Sequence, residues 1–509
     1  MSASTSAEAH PADGITPDDP PSIRWRPLLT IGGALGVLLI ALSPWYGYHR
    51  DELYFRVAAR HLAWGYPDQP ALVPLLARAL TEVFGDSLVA LRAPSALAAG
   101  AGVVIAGLTA RELGGGRRAQ LMTAGAFAAG PFLVASGHLL STATFDLLVS
   151  TAIVWLAVRW ARTRDHRLFP VIGVLAAVAG NIKYLAAPLL AALVVGLLVT
   201  GPRDFLRRPA LWAGAAIAVL GTAPGLVWQA RHGWPQLEMA DQIAAEGDFG
   251  GRLGFVPFQI VLSGTVLAVL WIHGLVRLLR SPDLRPYRFL AYAYLLLNAV
   301  FLITAGKPYY LAGLWAALWA AGAVEIERRG APRGVGWAVS VPAYAIVGAM
   351  TVLTTLPVYP VGWLKNTPQP AINADAAETV GWPRFTAEIA RVHRSLPPDE
   401  RARATILTSN YGEAGAIDRY GPALGLPRPH SGHNGYWHFG RPADTGGPTI
   451  VVGPESAADL TRFWTRVTVA GRIDNGVGLG NEEQGKPVFV CRGQREPWAL
   501  LWPKLRRLS

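Results

Sequence analysis

The chain has 509 residues, of which 51% are hydrophobic and only 16% charged, against about a quarter charged in ordinary soluble domains. That deficit excludes a uniformly soluble enzyme. The net charge of +12 does not indicate nucleic acid, because the arginines cluster between long apolar runs and no basic patch is interleaved with aromatics.

Residues 1–21 are rich in Ala, Ser, Asp and Pro and read as the greater part of a disordered cytoplasmic tail, residues 1–22. They lack the basic start and short apolar core of a cleaved signal peptide, so the first apolar run is expected to stay as an anchor. A helix needs about 20 apolar residues to cross a bilayer. The candidates are 27–47, 88–110, 119–137, 141–160, 168–182, 184–201, 210–230, 254–276, 288–305, 308–326 and 335–357. The stretch from Leu168 to Thr200 is too long for one span and is split at Gly180-Asn181-Ile182-Lys183-Tyr184.

About eleven spans result, and the positive-inside rule supports them. Arg24 and Arg26 precede the first, and every second loop thereafter is basic: Arg111, Arg117 and Arg118; Arg159, Arg162, Arg164 and Arg167; Arg203, Arg207 and Arg208; Arg277, Arg280, Arg285 and Arg288; Arg328, Arg329 and Arg333. The N-terminus is therefore expected inside and the C-terminal part outside. The opposite loops carry Asp51, Glu52 and Asp68, then His138 and Asp146, then Lys183 and Tyr184, then Arg231, His232, Glu238, Asp241, Glu246 and Asp248, and finally Lys307, Tyr309 and Tyr310. Carboxylates, cations and aromatics collected on one membrane face read as a site.

From about Lys365 the composition is that of a soluble α/β domain. Ala404–Gly412 reads as a strand ending in an Asn-Tyr-Gly turn. Gly447–Pro454 and Pro487–Gly493 are further strands, and Ala374–Ser395 and Ser456–Val467 read as helices. The expected division is 1–22, a multi-span part 23–360, and an extracytoplasmic part 361–509. The single cysteine, Cys491, excludes an intrachain disulfide.

Several motifs occur together. YHRDELYF (48–55) and GYPDQPAL (65–72) follow the first span, and STATFDLLVS (141–150), GNIKYLAAP (180–188), GKPYYLAGLWAAL (306–318) and SNYGEAGAIDRYG (409–421) come after them. In this order they resemble the superfamily of polyprenyl-phosphate-sugar-dependent integral-membrane glycosyltransferases, which includes the protein O-mannosyltransferases and the lipid A aminoarabinose transferases (glycosyltransferase family 39-like). The resemblance implies a polytopic α-helical membrane fold of the GT-C type. It also implies transfer of a sugar from a polyprenyl-phosphate donor to a hydroxyl acceptor, on protein, lipid or cell-wall glycan, at the outer face of the membrane and with inversion.

Such a reaction needs a carboxylate as general base for the acceptor hydroxyl. The phosphate leaving group needs fixed cations rather than an acid. By resemblance Asp51 is the base, Glu52 positions the acceptor or Asp51, and Asp146 orients acceptor or donor. Lys183 and Lys307 meet the carrier phosphate, flanked by Tyr309 and Tyr310. Asp68 either contacts the acceptor or sets the turn before Pro70. Arg50 and Arg56 either add positive charge or meet headgroups.

Plainer readings stand beside these. Asp51 and Asp146 each read equally as a helix cap, the lysines as snorkelling side chains, and the tyrosines as interfacial anchors. GHNGYWHFG (432–440) reads as a lid over the site, or as a turn packing its aromatics on the membrane part. No cofactor is expected. Some members of the superfamily hold a metal through Glu and His, but no close ligand spacing supports a divalent ion here. A transporter or flippase for a lipid-linked or small polar solute is the rival class. It fits less well, because no two-fold repeat is found and the polar residues lie at one face rather than at mid-membrane.

Overall fold

The computed structural model describes residues 20–509 except Glu455. Most of the expected N-terminal tail, 1–19, lies outside the described residues. Helices follow the apolar runs: α1 Trp25–Leu42, a short α2 Arg50–Ala58, α3 Leu72–Phe84, α4 Leu88–Glu112, α5 Arg117–Ala129, α6 Pro131–His138, α7 Thr142–Thr163, α8 Leu168–Gly180, α9 Ala186–Thr200, α10 Pro209–Arg231, α11 Pro235–Glu246, α12 Gly251–Ser263, α13 Ala268–Arg280, α14 Arg288–Ile303, α15 Ala312–Arg329 and α16 Val341–Thr355.

Among the described residues six helices are long and apolar enough to cross a membrane, and up to eight if each bent pair is one span. Two expected straight spans are in fact bent pairs. Residues 119–137 form α5 and α6, bent by 55° where Gly130 precedes Pro131. Residues 254–276 fall on α12 and α13, bent by 110°. The break expected near residues 180–184 separates α8 from α9, which have 13 and 15 residues, and α16 is also short at 15.

Close packing comes from small residues, as membrane helices require where lipid supplies no hydrophobic drive. Gly32 of α1 and Gly100 of α4 lie backbone to backbone; a Cβ on Gly100 would sit 2.7 Å from the Gly32 carbonyl oxygen. The alanine-rich α15 runs through the middle, with 89% of its apolar window buried. At the arginine-rich ends of the helices, buried Glu112 takes two hydrogen bonds from Arg162 at 2.8 and 2.6 Å, and buried Glu325 pairs with Arg277 at 2.9 Å. Those arginines therefore also serve packing.

At the other end sits the anchor of α2. Glu52 and Arg92 are both fully buried. Glu52 accepts from Arg92 Nε at 2.8 Å and Nη2 at 2.7 Å, from the His49 backbone N–H at 2.8 Å and from the Leu140 N–H at 2.9 Å. Arg92 also donates to the Ser43 and Gly47 carbonyls, both at 2.6 Å. One ion pair thus ties the end of α1, the start of α2, α4 and the α6–α7 connection.

The strands lie between residues 405 and 494 and form one sheet, order β2-β1-β3-β5-β4: β1 Thr405–Thr408, β2 Pro429–Ser431, β3 Thr449–Val452, β4 Trp464–Arg472 and β5 Pro487–Gln494. β1 is parallel to β2 and β3, while β5 is antiparallel to β3 and β4. The expected strands coincide with β1, β3 and β5. Three local expectations are corrected. Ser456–Val467 holds only one helical turn, Ala458–Thr461, before β4 begins, because β4 is an outer strand with mostly non-buried side chains and no apolar alternation to announce it. Ala374–Ser395 is interrupted at Gly381, whose φ of +104° ends one turn before the helix Trp382–Ser395 starts. β1 runs not into a turn but into the helix Tyr411–Tyr420, capped by Asn410 with Glu413 in a reciprocal capping box.

Arg92→Ala should lower the thermal unfolding temperature of the detergent-purified protein sharply, at a cost of about 3–5 kcal/mol, because it leaves the Glu52 charge buried and unpaired. The double variant Glu52→Gln, Arg92→Leu should recover part of that loss. An Arg92→Ala protein as stable as the wild type would contradict this account.

Candidate active site

Asp51 and Glu52 are adjacent in sequence but have different surroundings. The N-cap of α2 is His49, and the N3 position of the capping box is Glu52. The cap reading of Asp51 therefore fails: His49 is the cap, and Glu52 closes the box from N3 and is withdrawn from solvent. Asp51 stays open, with a side chain 39% exposed. The Tyr411 hydroxyl donates to its Oδ1 at 2.8 Å. Burial, and then the Asp51 charge, push the Tyr411 phenol well above its ordinary pKa, so it remains a donor. The backbone N–H of Asp51 donates to His49 Nδ1 at 3.3 Å, and Nε2 of the same ring faces Asp375 at 3.7 Å.

The motif around residues 409–421 explains how Tyr411 reaches Asp51. Gly412 and Gly415 face Arg50 and Leu53 of α2, and a Cβ at either would approach within 2.6 and 2.8 Å. Two glycines on one face let the Tyr411 helix lie directly on α2, and Tyr411 then reaches across the contact. Arg50 stands over the Tyr411 ring at 5.9 Å and donates to Glu482 at 2.7 Å. Arg56 pairs with Asp86 at 2.6 Å and covers Tyr48.

Asp68 lies behind this pair, in the turn between α2 and α3. The Tyr54 hydroxyl donates to it at 2.9 Å and itself accepts from the Gly435 N–H at 3.1 Å. The Tyr54 and Tyr411 rings are 4.9 Å apart. The turn is pinned from α10 and α11, where Gln229 donates to the Tyr66 carbonyl at 3.0 Å and Gln236 to the Pro67 carbonyl at 2.7 Å. Burial, with the Asp51 charge adding to it, pushes the Asp68 pKa up to about 7.

The cations gather round the tyrosines. Lys183, in the α8–α9 break, lies 5.1 Å from the Tyr309 ring centroid and 5.7 Å from that of Tyr310. Tyr309 stacks on Phe132 at 4.8 Å and is within Coulombic reach of Lys307, Asp375, Asp51 and Asp146. Asp146 in turn faces Lys183, and its buried Oδ1 accepts no hydrogen bond from a described residue. The cap of α7 is Ser141, which accepts from the Ala143 N–H, so Asp146 is not a cap. Asp51, Asp146, Lys183, Lys307, Tyr309 and Tyr310 thus share one electrostatic neighbourhood, while Asp68 adjoins it through the tyrosine pair. Glu52 supports it from below.

GHNGYWHFG packs against neighbouring elements. His433 meets the Tyr411 N–H at 3.3 Å, and Tyr436 donates to Asp418 at 2.8 Å. Phe439 stacks on His61 at 4.5 Å, and His438 lies near His232 and Trp228. This is the packing reading, although the stretch also supplies the Gly435 N–H to Tyr54. Tyr54, His49, Asp375 and Arg92 were not singled out from sequence. His49 and Tyr54 lie inside the YHRDELYF motif, whereas Arg92 and Asp375 lie in helical stretches that carry no local signal of a site. A cleft of about 380 Å³ opens at the far end of α2 beside Arg60, His61, Asp418 and Arg428, and none of the expected site residues lines it.

Set against known proteins, residues 68–228 match the sequence model described as dolichyl-phosphate-mannose-protein mannosyltransferase. The crystal structure of ArnT from Cupriavidus metallidurans bound to undecaprenyl phosphate matches with a TM-score of 0.59 at 17% identity, covering 91% of this chain and 97% of that one. This is a GT-C fold. The apo form of the same ArnT gives 0.57 at 16% identity, with the same coverage. A mutant form of the mycobacterial arabinofuranosyltransferase AftD gives 0.51 at 15% identity over 94% of this chain, which spans 42% of that larger GT-C chain. No curated protein matches by sequence. The matched interval includes Asp68, Asp146 and Lys183 and ends before Lys307, and the acidic pair of α2 precedes it.

Native Asp68 keeps its proton up to about pH 7, whereas the unfolded carboxyl releases it near 3.8. Its contribution to stability is therefore complete below about pH 4 and is lost as the pH rises through 7. Asp68→Asn keeps an acceptor for Tyr54 and should remove that slope. Its unfolding temperature should exceed that of the wild type most clearly above pH 7. An unchanged pH profile would show that Asp68 is ionised throughout.

Proposed function

We propose that this GT-C protein is a glycosyltransferase that moves a sugar from a polyprenyl-phosphate donor to a hydroxyl acceptor at the extracytoplasmic face of the membrane, with inversion. The carrying observation is Asp51: a partly exposed carboxylate held at one oxygen by Tyr411, in the same electrostatic neighbourhood as a group of lysines and tyrosines. The undecaprenyl phosphate bound to ArnT supports a lipid-phosphate donor. The acceptor is a hydroxyl on protein, lipid or cell-wall glycan.

In this reading the acceptor hydroxyl hydrogen-bonds to Asp51 Oδ2. As its oxygen attacks the anomeric carbon, its proton passes to Asp51 and the bond to the phosphate oxygen breaks. Tyr411 holds the carboxylate in place at Oδ1. The phosphate departs with its own negative charge, and Lys307 and Lys183 stabilise the oxygens that carry it. Their flanking tyrosines exclude water and so strengthen the attraction. Asp146 turns its unbonded oxygen towards a sugar hydroxyl. Glu52 acts as a positioning residue through the α2 cap. A single displacement with one base inverts the anomeric centre. All eleven apolar segments act as spans, with the N-terminus cytoplasmic, 23–360 forming the catalytic membrane part and 361–509 lying outside.

Asp51→Asn should lower transfer by about 10²–10⁴-fold while leaving expression and binding of the lipid donor nearly intact. The assay uses purified protein in lipid, radiolabelled polyprenyl-phosphate sugars and an envelope extract as acceptor pool. Comparable activity in the variant would remove Asp51 from the role of base. Donor binding without transfer by the wild type against every acceptor would favour the flippase reading.

Lys307→Ala should impair donor use more than acceptor use, as a raised donor KM or lowered kcat at fixed acceptor. An unchanged donor dependence would exclude a phosphate contact there.

A further inference from the structure

Outside the candidate active site the described residues hold one concentrated group of carboxylates. Glu378 lies on the segment that leads from α16 to the sheet. Glu482 and Glu483 lie in the β4–β5 connection. One oxygen from each falls within 4.8 Å of the other two. Glu413 of the Tyr411 helix adds a fourth charge within reach of Glu483.

This arrangement is only partly satisfied from within the protein: Glu413 Oε2 accepts from Ser409 and Asn410, and Glu378 Oε1 from the Glu482 N–H. Glu483 is 3% exposed and Glu413 fully buried. Glu483 Oε2, Glu413 Oε1 and Glu378 Oε2 are all buried and accept no hydrogen bond from a described residue. The nearby cations, Arg50 at 2.7 Å and Lys486 at 3.5 Å, both sit on Glu482. Asn410 offers its amide N–H₂ to Glu482 at 3.3 Å and, at a marginal 3.5 Å, to Glu483. Four carboxylates thus share two cations, both in direct contact only with Glu482, and the charge of Lys486 also reaches Glu413 and Glu483. Buried carboxylates without a counter-charge cost several kcal/mol each, whereas carboxylate oxygens converging on a point suit a hard cation.

We propose that Glu378, Glu482 and Glu483 bind a divalent cation of the calcium class. The donors are all oxygens, with no histidine or cysteine among them, which disfavours zinc. Calcium–oxygen distances of about 2.3–2.6 Å place ligand oxygens up to about 5 Å apart, whereas magnesium at about 2.1 Å needs a tighter set. The ion would join the segment after α16 to the β4–β5 connection. Through Glu482 it would also hold Arg50, the residue before Asp51. No short ligand spacing marks the site in sequence, since Glu378 and Glu482 are about a hundred positions apart. The inference rests on this cluster and is independent of the reaction proposed above.

The test uses the full-length protein in detergent, stripped with chelator and exchanged into metal-free buffer. Terbium serves as a luminescent calcium probe, excited through Trp382, whose indole donates to the Glu378 carbonyl at 3.0 Å. One sensitised terbium per chain is expected, displaced by calcium. Calcium alone should raise the unfolding temperature of the stripped protein. Glu483→Gln and Glu378→Gln should each weaken terbium binding at least tenfold, while Asp459→Asn, a remote exposed acid, should leave it unchanged. The proposal is overturned if calcium, magnesium and manganese all leave the wild-type unfolding temperature unmoved and terbium gives no sensitised signal. It is equally overturned if the glutamine variants bind terbium as the wild type does. The wild-type titration decides the matter even where a variant does not fold.

Discussion

The geometry of the site depends on the buried pair Glu52–Arg92. An ion pair removed from water is stable only when its remaining hydrogen-bonding capacity is met, and here it is met by four backbone groups from three stretches of chain. These groups belong to the end of α1, the start of α2 and the α6–α7 connection, with Arg92 itself on α4. The pair therefore converts the packing of membrane helices into a fixed position for the short helix α2. Asp51, one residue before Glu52, inherits that position while its own carboxylate stays open.

The second constraint comes from the sheet-bearing part. The Tyr411 helix lies on α2 through Gly412 and Gly415, so that Tyr411 completes the surroundings of Asp51 and Gly435 completes those of Tyr54. The C-terminal region is thus part of the site rather than an appendage. Arg506 pairs with Glu238 of α11 at 2.8 Å and strengthens the same docking from the other side. Similarity to the ArnT fold extends across almost all of both chains, so it takes in the sheet-bearing part as well as the helices.

Much of this was legible in the sequence because membrane helices announce themselves by composition over long windows. The apolar runs, the alternating arginine loops and the break between α8 and α9 all follow from local hydropathy. Where helices are short or bent, composition over long windows does not say so: the 55° bend follows the local Gly130-Pro131 step, and the 110° bend lies between α12 and α13. In the sheet-bearing part, buried strands such as β1, β3 and β5 were visible as short apolar runs. The mostly uncovered β4 carries no strand pattern in its exposed side chains, and its first residues, Trp464–Val467, fall in the stretch expected to be helical. Among the site residues, the charged members could be named from their place at the helix ends, since intramembrane-edge charge is costly without a use.

The sequence by itself determined that this chain is a membrane protein with acids and lysines collected at one set of helix ends, because hydropathy and charge are properties of local composition. Only the tertiary structure decided which of two adjacent carboxylates is open and which is structural. It also showed that His49 and Ser141, rather than Asp51 and Asp146, cap their helices, and that Tyr411 reaches Asp51 across 360 positions. It alone brings Glu378 to Glu482 and Glu483. Partners so far apart in the chain are selected by packing, and local pattern carries no information about which side chain a distant helix will meet.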